Sequence, residues 1–362
     1  MKKHLWSVWL SRFDSAETRC LYSLNLTLQF LRLIGSSDSS QIETLRNDVV
    51  QTLYEYSKKN RMPTSFLDKV AVSIKFPAMN KLAARQQIEY VRMLDSVSRA
   101  SQLLGSANIE HAMFKTIRPY KSTTVDIDTV IFGLENDYRT ALKTMKESGY
   151  RLLAEGPMSA TFWDQNAEIG IDIYNEIAVS ALCYLDKDKL ARFSTSVRLP
   201  NNEEACLLAP EADLLAIVAH SIIKEQMFTL SEYYSFINYL GKIEIRTFVD
   251  LLRETNLTNA AKTHASITAF LSKVADGEIP KKLQEILEAI GQDNFETSRI
   301  LTCDLQTPHK YHPITVAKSL LEIAKGKKSR RSIATQIYRM KSPTFTGKFL
   351  NALIQHIARE TY

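Results

Sequence analysis

Two aspartates one residue apart in a strand-like run constrain this chain more than any other feature. Residues 111–132 read HAMFKTIRPYKSTTVDIDTVIF: a short apolar strand (Ala112, Met113, Phe114), a polar turn, and a second strand carrying Asp126 and Asp128. In extended backbone the side chains at i and i+2 point to the same side. Asp126 and Asp128 therefore form an anionic pair between Val125 and the apolar run Val130, Ile131, Phe132. Like charges that close repel, and burying them is costly unless a cation sits between them. A hard divalent ion with oxygen ligands, Mg²⁺ or Mn²⁺, suits such a pair. On these residues alone the blander alternative, two aspartates that cap a strand end and face water, stays open.

A third carboxylate follows. Residues 168–177, EIGIDIYNEI, read as another strand in which Ile169, Ile171 and Ile173 alternate with Gly170, Asp172 and Tyr174. Asp172 thus faces away from the isoleucines. Three aspartates on adjacent strands can hold two metal ions. Ions roughly 3.5–4 Å apart activate an attacking oxygen and stabilise the leaving one in phosphoryl transfer.

The order apolar strand, turn, Asp-x-Asp strand, helix, hairpin, Asp-bearing strand resembles the DNA polymerase beta nucleotidyltransferase superfamily. Within it the likeness is to an uncharacterised bacterial and archaeal nucleotidyltransferase family whose members read roughly KG, R, DIDLLV, then IDLHW, then a helix with LLxLxxH. The matching residues are Lys115, Asp126-Ile127-Asp128, Ile171-Asp172-Ile173 and the helical run Asp213-Leu214-Leu215-Ala216-Ile217-Val218-Ala219-His220. The resemblance spans roughly residues 83–240. It implies that Asp126 and Asp128 bind two Mg²⁺, and that Asp172 binds the catalytic ion and helps deprotonate the attacking hydroxyl. It also implies that the helix from residue 210 lines the cleft, so that His220 and Lys224 contact phosphate or base.

Two departures from the family pattern stand out. The superfamily usually has Gly-Ser or Gly-Gly in the turn after the first strand, which lets backbone N–H groups approach a triphosphate. This chain has Lys115-Thr116 there, and the next glycine after it is Gly133. Thr116 offers a hydroxyl in its place and Lys115 a point charge. The family's histidine after the third aspartate is Tyr174 here.

A chain of 362 residues has room for two or three domains. Only 11 Gly and 10 Pro favour many helices over an all-β or disordered chain. The expected fold class is α+β, a small mixed-sheet nucleotidyltransferase palm embedded between helical regions. The division expected is an N-terminal helical region (1–80), the palm (81–205), a helical domain lining the cleft (206–300) and a basic C-terminal helical region (301–362). Helices are expected near 82–104, 136–148, 210–225, 230–241, 243–255, 258–275, 280–290, 313–325 and 344–360, and strands near 109–114, 150–153, 158–163 and 168–174. Ile88, Val91, Leu94, Val97 and Leu103 form the apolar stripe of the first of these helices. Cys20, Cys183, Cys206 and Cys303 lie far apart with no CxxC pairing. This argues against a zinc site or disulfide framework and for a reducing cytoplasm. No stretch approaches ~20 uninterrupted apolar residues, so no membrane span is expected. His309 and His312 flank Lys310 and Tyr311, a spacing that permits a metal but has Asp304 as its only neighbouring acid.

Charge is the second informative feature. Residues 325–348 hold Lys325, Lys327, Lys328, Arg330, Arg331, Arg339, Lys341 and Lys348 with no Asp or Glu, against a net charge of +6 for the whole chain. Tyr338 and Phe345 are interleaved. Concentrated cations with aromatics suit a polyanion, because neutralising phosphates releases counterions and aromatic faces stack unpaired bases. A solvated segment between helices is the alternative.

The leading expectation is a Mg²⁺- or Mn²⁺-dependent enzyme with two ions that transfers a nucleoside monophosphate from an NTP to a hydroxyl of RNA, for instance a tRNA-like 3′ end. Lys115, Thr116 and Arg118 or Lys121 would counter the triphosphate charge, and Lys325, Lys327, Lys328, Arg330, Arg331, Arg339 and Lys341 would hold the RNA. Two alternatives are carried: a transferase of the same fold acting on a small-molecule or protein hydroxyl, and a non-catalytic nucleic-acid-binding protein with a relic palm. The enzymatic reading requires the three aspartates to converge, with no salt bridge filling the gap between them.

Overall fold

The computed structural model describes residues 26–35, 40–71, 73, 75–156, 158–179, 182–291, 294–302 and 306–339. Helices α1 (Leu26–Gly35), α2 (Ser40–Thr44), α3 (Asn47–Lys59), α4 (Pro63–Val70) and α5 (Pro77–Ser106) come first. Strands β1 (His111–Met113) and β2 (Asp126–Ile131), helix α6 (Glu135–Glu147), then β3 (Arg151–Glu155), β4 (Ser159–Asp164) and β5 (Ile169–Tyr174) follow. The hairpin β6 (Ile177–Val179) and β7 (Leu182–Leu185), the short α7 (Lys187–Leu190), β8 (Ser194–Arg198) and β9 (Glu204–Leu208) lead into the helical remainder. That remainder comprises α8 (Pro210–Ala219), β10 (Met227–Phe228), α9 (Leu230–Tyr239), α10 (Ile245–Thr255), α11 (Thr258–Asp276), α12 (Lys281–Ile290), α13 (Asn294–Thr302), β11 (His309–Lys310), α14 (Pro313–Ile323) and α15 (Lys327–Arg339).

The fold class is α+β. Its centre is a mixed sheet of order β3-β4-β5-β2-β1-β9-β8, in which β2 runs parallel to β5 and antiparallel to β1. Period-two alternation gives the sheet two distinct faces. On one, Ile127, Ile131, Phe162, Ile171 and Ile173 pack against Leu94, Val97, Ala100 and Leu104 of α5 and Tyr138, Leu142 and Met145 of α6. The other face carries Ala112, Phe114, Val130 and Tyr174, which belong to a larger core built on α8. Residues 212–219 of α8 are buried all round, as a run apolar but for Asp213 must be.

The same larger core takes in Phe30, Leu53 and Phe66 from the first helices and Val316 and Ile323 from α14. Tyr56 ties α1 to the stretch just before β11. Its hydroxyl lies 2.7 Å from Thr27 Oγ1 and 2.6 Å from Thr307 Oγ1. Proline opens α4, α5, α8 and α14, where its missing N–H costs nothing and its fixed φ suits the first turn. Thr229 and Glu232 form a capping box at the start of α9. His264 of α11 is fully buried, 4.9 Å from Phe228 and 5.4 Å from Phe236 between ring centroids. Neither of its ring nitrogens has a hydrogen-bond partner among the described residues.

The structure departs from the sequence expectations in several places. The sheet is wider than expected, because β8 and β9 join it beyond β1. Helix α5 starts at Pro77, and its first half stands clear of the sheet, leaving Ile88 and Val91 exposed. Helices α13 and α15 lie in the regions expected to be helical, but between the individual helices expected there. Among the described residues no helix is long and apolar enough to cross a membrane. The helix expected at 344–360, with Lys341, Phe345, Lys348, Cys20 and Cys303, lies outside the described residues.

Candidate active site

The three aspartates converge. In the parallel β2–β5 pair Asp128 stands opposite Asp172, and Asp126 opposite Gly170. One carboxylate oxygen from each of Asp126, Asp128 and Asp172 lies within 4.8 Å of the others, and no other such acidic or metal-ligating group occurs among the described residues. The strands place all three on the face opposite the isoleucines, which is why Asp172 escapes the apolar layer beneath it. Thr161, its partner on β4, donates a 2.6 Å hydrogen bond to Asp172 Oδ1. The Tyr174 hydroxyl donates to Oδ2 at 3.3 Å. Burial holds that phenol far above its usual range, so it acts as a neutral donor.

Lys115 is the nearest cation. Its Nζ lies 2.5 Å from Asp128 Oδ2, and both side chains are buried. The requirement of a gap free of salt bridges is thus met only in part: Lys115 takes one of the two Asp128 oxygens, while one oxygen from each aspartate still lies within 4.8 Å of the others. The other Asp128 oxygen, Oδ1, is buried without a hydrogen-bond partner, and the Asp126 carboxylate accepts no hydrogen bond among the described residues. Burial, and after it the charge of Asp128, pushes Asp126 up to about 6, with Lys115 working in the opposite direction. The cluster is therefore short of positive charge. An orphaned carboxylate oxygen, an uncommitted carboxylate and an all-oxygen donor set fit a hard divalent cation.

The turn that replaces the expected glycine has its own construction. Lys115 adopts the left-handed backbone, φ 49°, a conformation that costs a non-glycine residue about 1 kcal/mol. Its backbone N–H donates to the buried Asp213 carboxylate, which also accepts a 2.6 Å bond from the Tyr239 hydroxyl. Thr116 donates its hydroxyl proton to Phe114 O at 3.1 Å and accepts from Asp128 N at 3.0 Å. With that proton spent, the Thr116 hydroxyl braces the Asp128 strand and has no donor left for a phosphate. This corrects the role expected of it.

Other candidates gather behind the triad on the π-helical turn His220–Glu225 that continues α8, a geometry that recurs at functional sites. The charge of Lys224 works against the upward shift of Asp126 and so favours its ionised form. His220 is largely buried. Burial and then the charges of Lys115, Lys224, Arg61 and Arg118 push it well below its ordinary range, so it is neutral. Its Nε2 lies 3.5 Å from Glu225 Oε1. Arg61, in the turn between α3 and α4, pairs with Glu225 Oε2 at 2.8 Å and feels the charge of Asp126. No motif pointed to it. Arg118 donates to Ser235 Oγ at 3.2 Å. Lys121 stands apart, paired with Asp68 at 2.8 Å.

The basic segment is divided. Lys325, Lys327, Arg330 and Arg331 are exposed at the start of α15. Lys328 instead turns inward, 2.8 Å from Asp188, 2.9 Å from Asp186 and 3.5 Å from Glu176, and those carboxylates hold its ammonium firmly protonated. It docks α15 against the β6–β7 hairpin, where Ser332 Oγ also accepts from Cys183 N at 3.2 Å. This takes Lys328 out of the set expected to meet RNA. Arg339 ends the helix, and Lys341 lies outside the described residues. His309 and His312 are committed as well. The first contacts Glu296 Oε1 at 2.6 Å, and Nδ1 of the second accepts from Ile314 N at the start of α14.

No protein-family model matches the chain, and no curated protein matches it. Among solved structures it is similar to the lincosamide antibiotic adenylyltransferase LnuA in its lincomycin-bound crystal structure, at 12% identity and a TM-score of 0.29. The match covers 39% of this chain and 92% of that one. A likeness that slight carries no conclusion about the reaction.

Proposed function

We propose that this chain is a metal-dependent nucleotidyltransferase that moves a nucleoside monophosphate from an NTP to a hydroxyl acceptor and releases pyrophosphate. The observation that carries the reading is the triad itself. Asp126, Asp128 and Asp172 present oxygens within 4.8 Å of one another, and buried Asp128 Oδ1 has no hydrogen-bond partner among the described residues. Asp126, Asp128 and Asp172 would hold Mg²⁺ or Mn²⁺, two ions when the nucleotide is bound, which supply Lewis-acid stabilisation of the attacking and leaving oxygens. Asp172, oriented by Thr161 and Tyr174, draws the proton from the acceptor hydroxyl. The acceptor oxygen bonds the α-phosphorus, and the bond to the bridging oxygen of pyrophosphate breaks. Lys115, Lys224 and Arg61, whose charges act on Asp126, would counter the triphosphate charge, with Arg118 beside them in that role. Since the Lys115 N–H and the Thr116 hydroxyl are spent inside the protein, the triphosphate is held by side-chain charge rather than by a glycine-rich backbone cradle.

RNA is the acceptor this reading favours, because Lys325, Lys327, Arg330 and Arg331 leave an exposed basic surface suited to phosphates. The test is incubation of the purified protein with each α-³²P NTP, Mg²⁺ or Mn²⁺ and total cellular RNA. Label on a discrete RNA band supports the proposal, and Asp126→Ala should lose it while melting as the wild type does. Transfer by that variant at the wild-type rate refutes the metal assignment. Label on the protein itself moves the acceptor to a protein hydroxyl.

A further inference from the structure

Three ionised aspartates around one point carry a formal −3, and the buried ammonium of Lys115 reduces this to −2. That residue charge matches one divalent ion and not two. The oxygens divide in the same way. Asp128 Oδ2 is taken by Lys115 at 2.5 Å, whereas Asp128 Oδ1 and the Asp126 carboxylate are uncommitted. Lys115 is not there by chance of rotamer alone. Its backbone is pinned in the left-handed region by the Asp213 carboxylate, and its ammonium also lies 5.2 Å from the Phe114 ring centroid. What remains rotatable is the four-carbon stem, and a triphosphate that takes over the ammonium offsets the loss of its pairing with Asp128.

We infer that Lys115 is a tethered cation that occupies the place of the second metal ion until nucleotide arrives. Without nucleotide the triad takes one divalent ion. A triphosphate brings enough negative charge to draw Lys115 off Asp128 Oδ2 and onto its own oxygens, and only then does the second ion find its ligand. Lys115 thereby couples ion number to nucleotide binding and keeps a two-ion site from filling unproductively. Asp213 is its positioning residue, acting through the backbone of Lys115. The inference rests on the transfer reading above and deepens it.

The test counts Mn²⁺ on the full chain, by the loss of the free-ion paramagnetic resonance signal and by calorimetry. Wild-type protein should bind one Mn²⁺ alone and two in the presence of a non-hydrolysable α,β-methylene NTP, a comparison that needs no variant. Lys115→Met should bind two Mn²⁺ without nucleotide, the second at least tenfold tighter than in the wild type. Lys115→Arg should stay at one. Thermal melting of each variant checks that the fold is kept. Two Mn²⁺ on nucleotide-free wild type, or an unchanged single Mn²⁺ on folded Lys115→Met, overturns the inference and leaves the transfer reading standing. Absence of Mn²⁺ from every protein overturns both.

Discussion

His264 offers the sharpest quantitative test of this fold. It sits fully buried between Phe228 and Phe236 with both ring nitrogens unpartnered among the described residues, and burial pushes its imidazole down from 6.5 to about 3. Below pH 6.5 the unfolded chain takes up a proton that the folded chain refuses. Stability therefore falls as pH drops through 6.5 and keeps falling until about 3, below which both states are protonated. Over the whole window this one group contributes roughly 4–5 kcal/mol, and about 2 kcal/mol of it is lost between pH 7.5 and pH 5. His264→Leu keeps the volume similar and removes the proton site. At pH 7.5 it removes two unsatisfied nitrogens, a gain of about 1–3 kcal/mol, against lost ring contacts of about 0.5–1.5 kcal/mol. Urea unfolding at pH 7.5 and pH 5, followed by fluorescence, should show the wild type losing about 2 kcal/mol more than the variant across that interval. Equal losses would refute the placement of an unpaired imidazole in this core.

Further outcomes follow from the site and its surroundings. Thr161→Val removes the 2.6 Å donor to Asp172 Oδ1 and should lower kcat/KM for nucleotidyl transfer about tenfold, some 1.4 kcal/mol, with the melting temperature little changed. Asp126→Asn relieves like-charge repulsion in the triad, so it should melt at or above the wild-type temperature while Mn²⁺ binding, read by calorimetry, falls away. Joint replacement of Lys327, Arg330 and Arg331 by alanine should weaken RNA binding and flatten its dependence on log salt by about 2, since each single-strand phosphate contact contributes ~0.7 to the slope. Lys328→Ala should act differently, destabilising the protein by leaving Glu176, Asp186 and Asp188 without their shared cation. An unaltered melting curve would contradict that docking role.

What could be read from the chain, and what could not, has a physical pattern. Asp126, Asp128 and Asp172 were legible because a strand's period of two puts their orientation directly into the residue order. The helices between Pro210 and Ile290 were legible because their apolar residues recur at helical spacing. Strand β8 was not: four of its five residues are exposed, so no apolar alternation marks it. Helix α15 escaped because its first six residues are all polar, and it is fastened by Lys328 and Ser332 to carboxylates and a backbone N–H far away in sequence. Ile88 and Val91 misled in the other direction, forming a stripe that nothing among the described residues covers. The left-handed turn at Lys115 and the approach of Arg61 depend on partners about a hundred or more residues away, Asp213 and Glu225, and no local pattern encodes them.

The register that sets Asp128 opposite Asp172 also limits how descendants of this chain can change length. One residue gained or lost inside β5 ahead of Asp172 would rotate that carboxylate onto the isoleucine side. The turns joining α6, β3 and β4 lie off that pairing and can lengthen without disturbing either acid. Insertions accumulated over evolution should therefore crowd into that crossover and spare the two six-residue windows of β2 and β5.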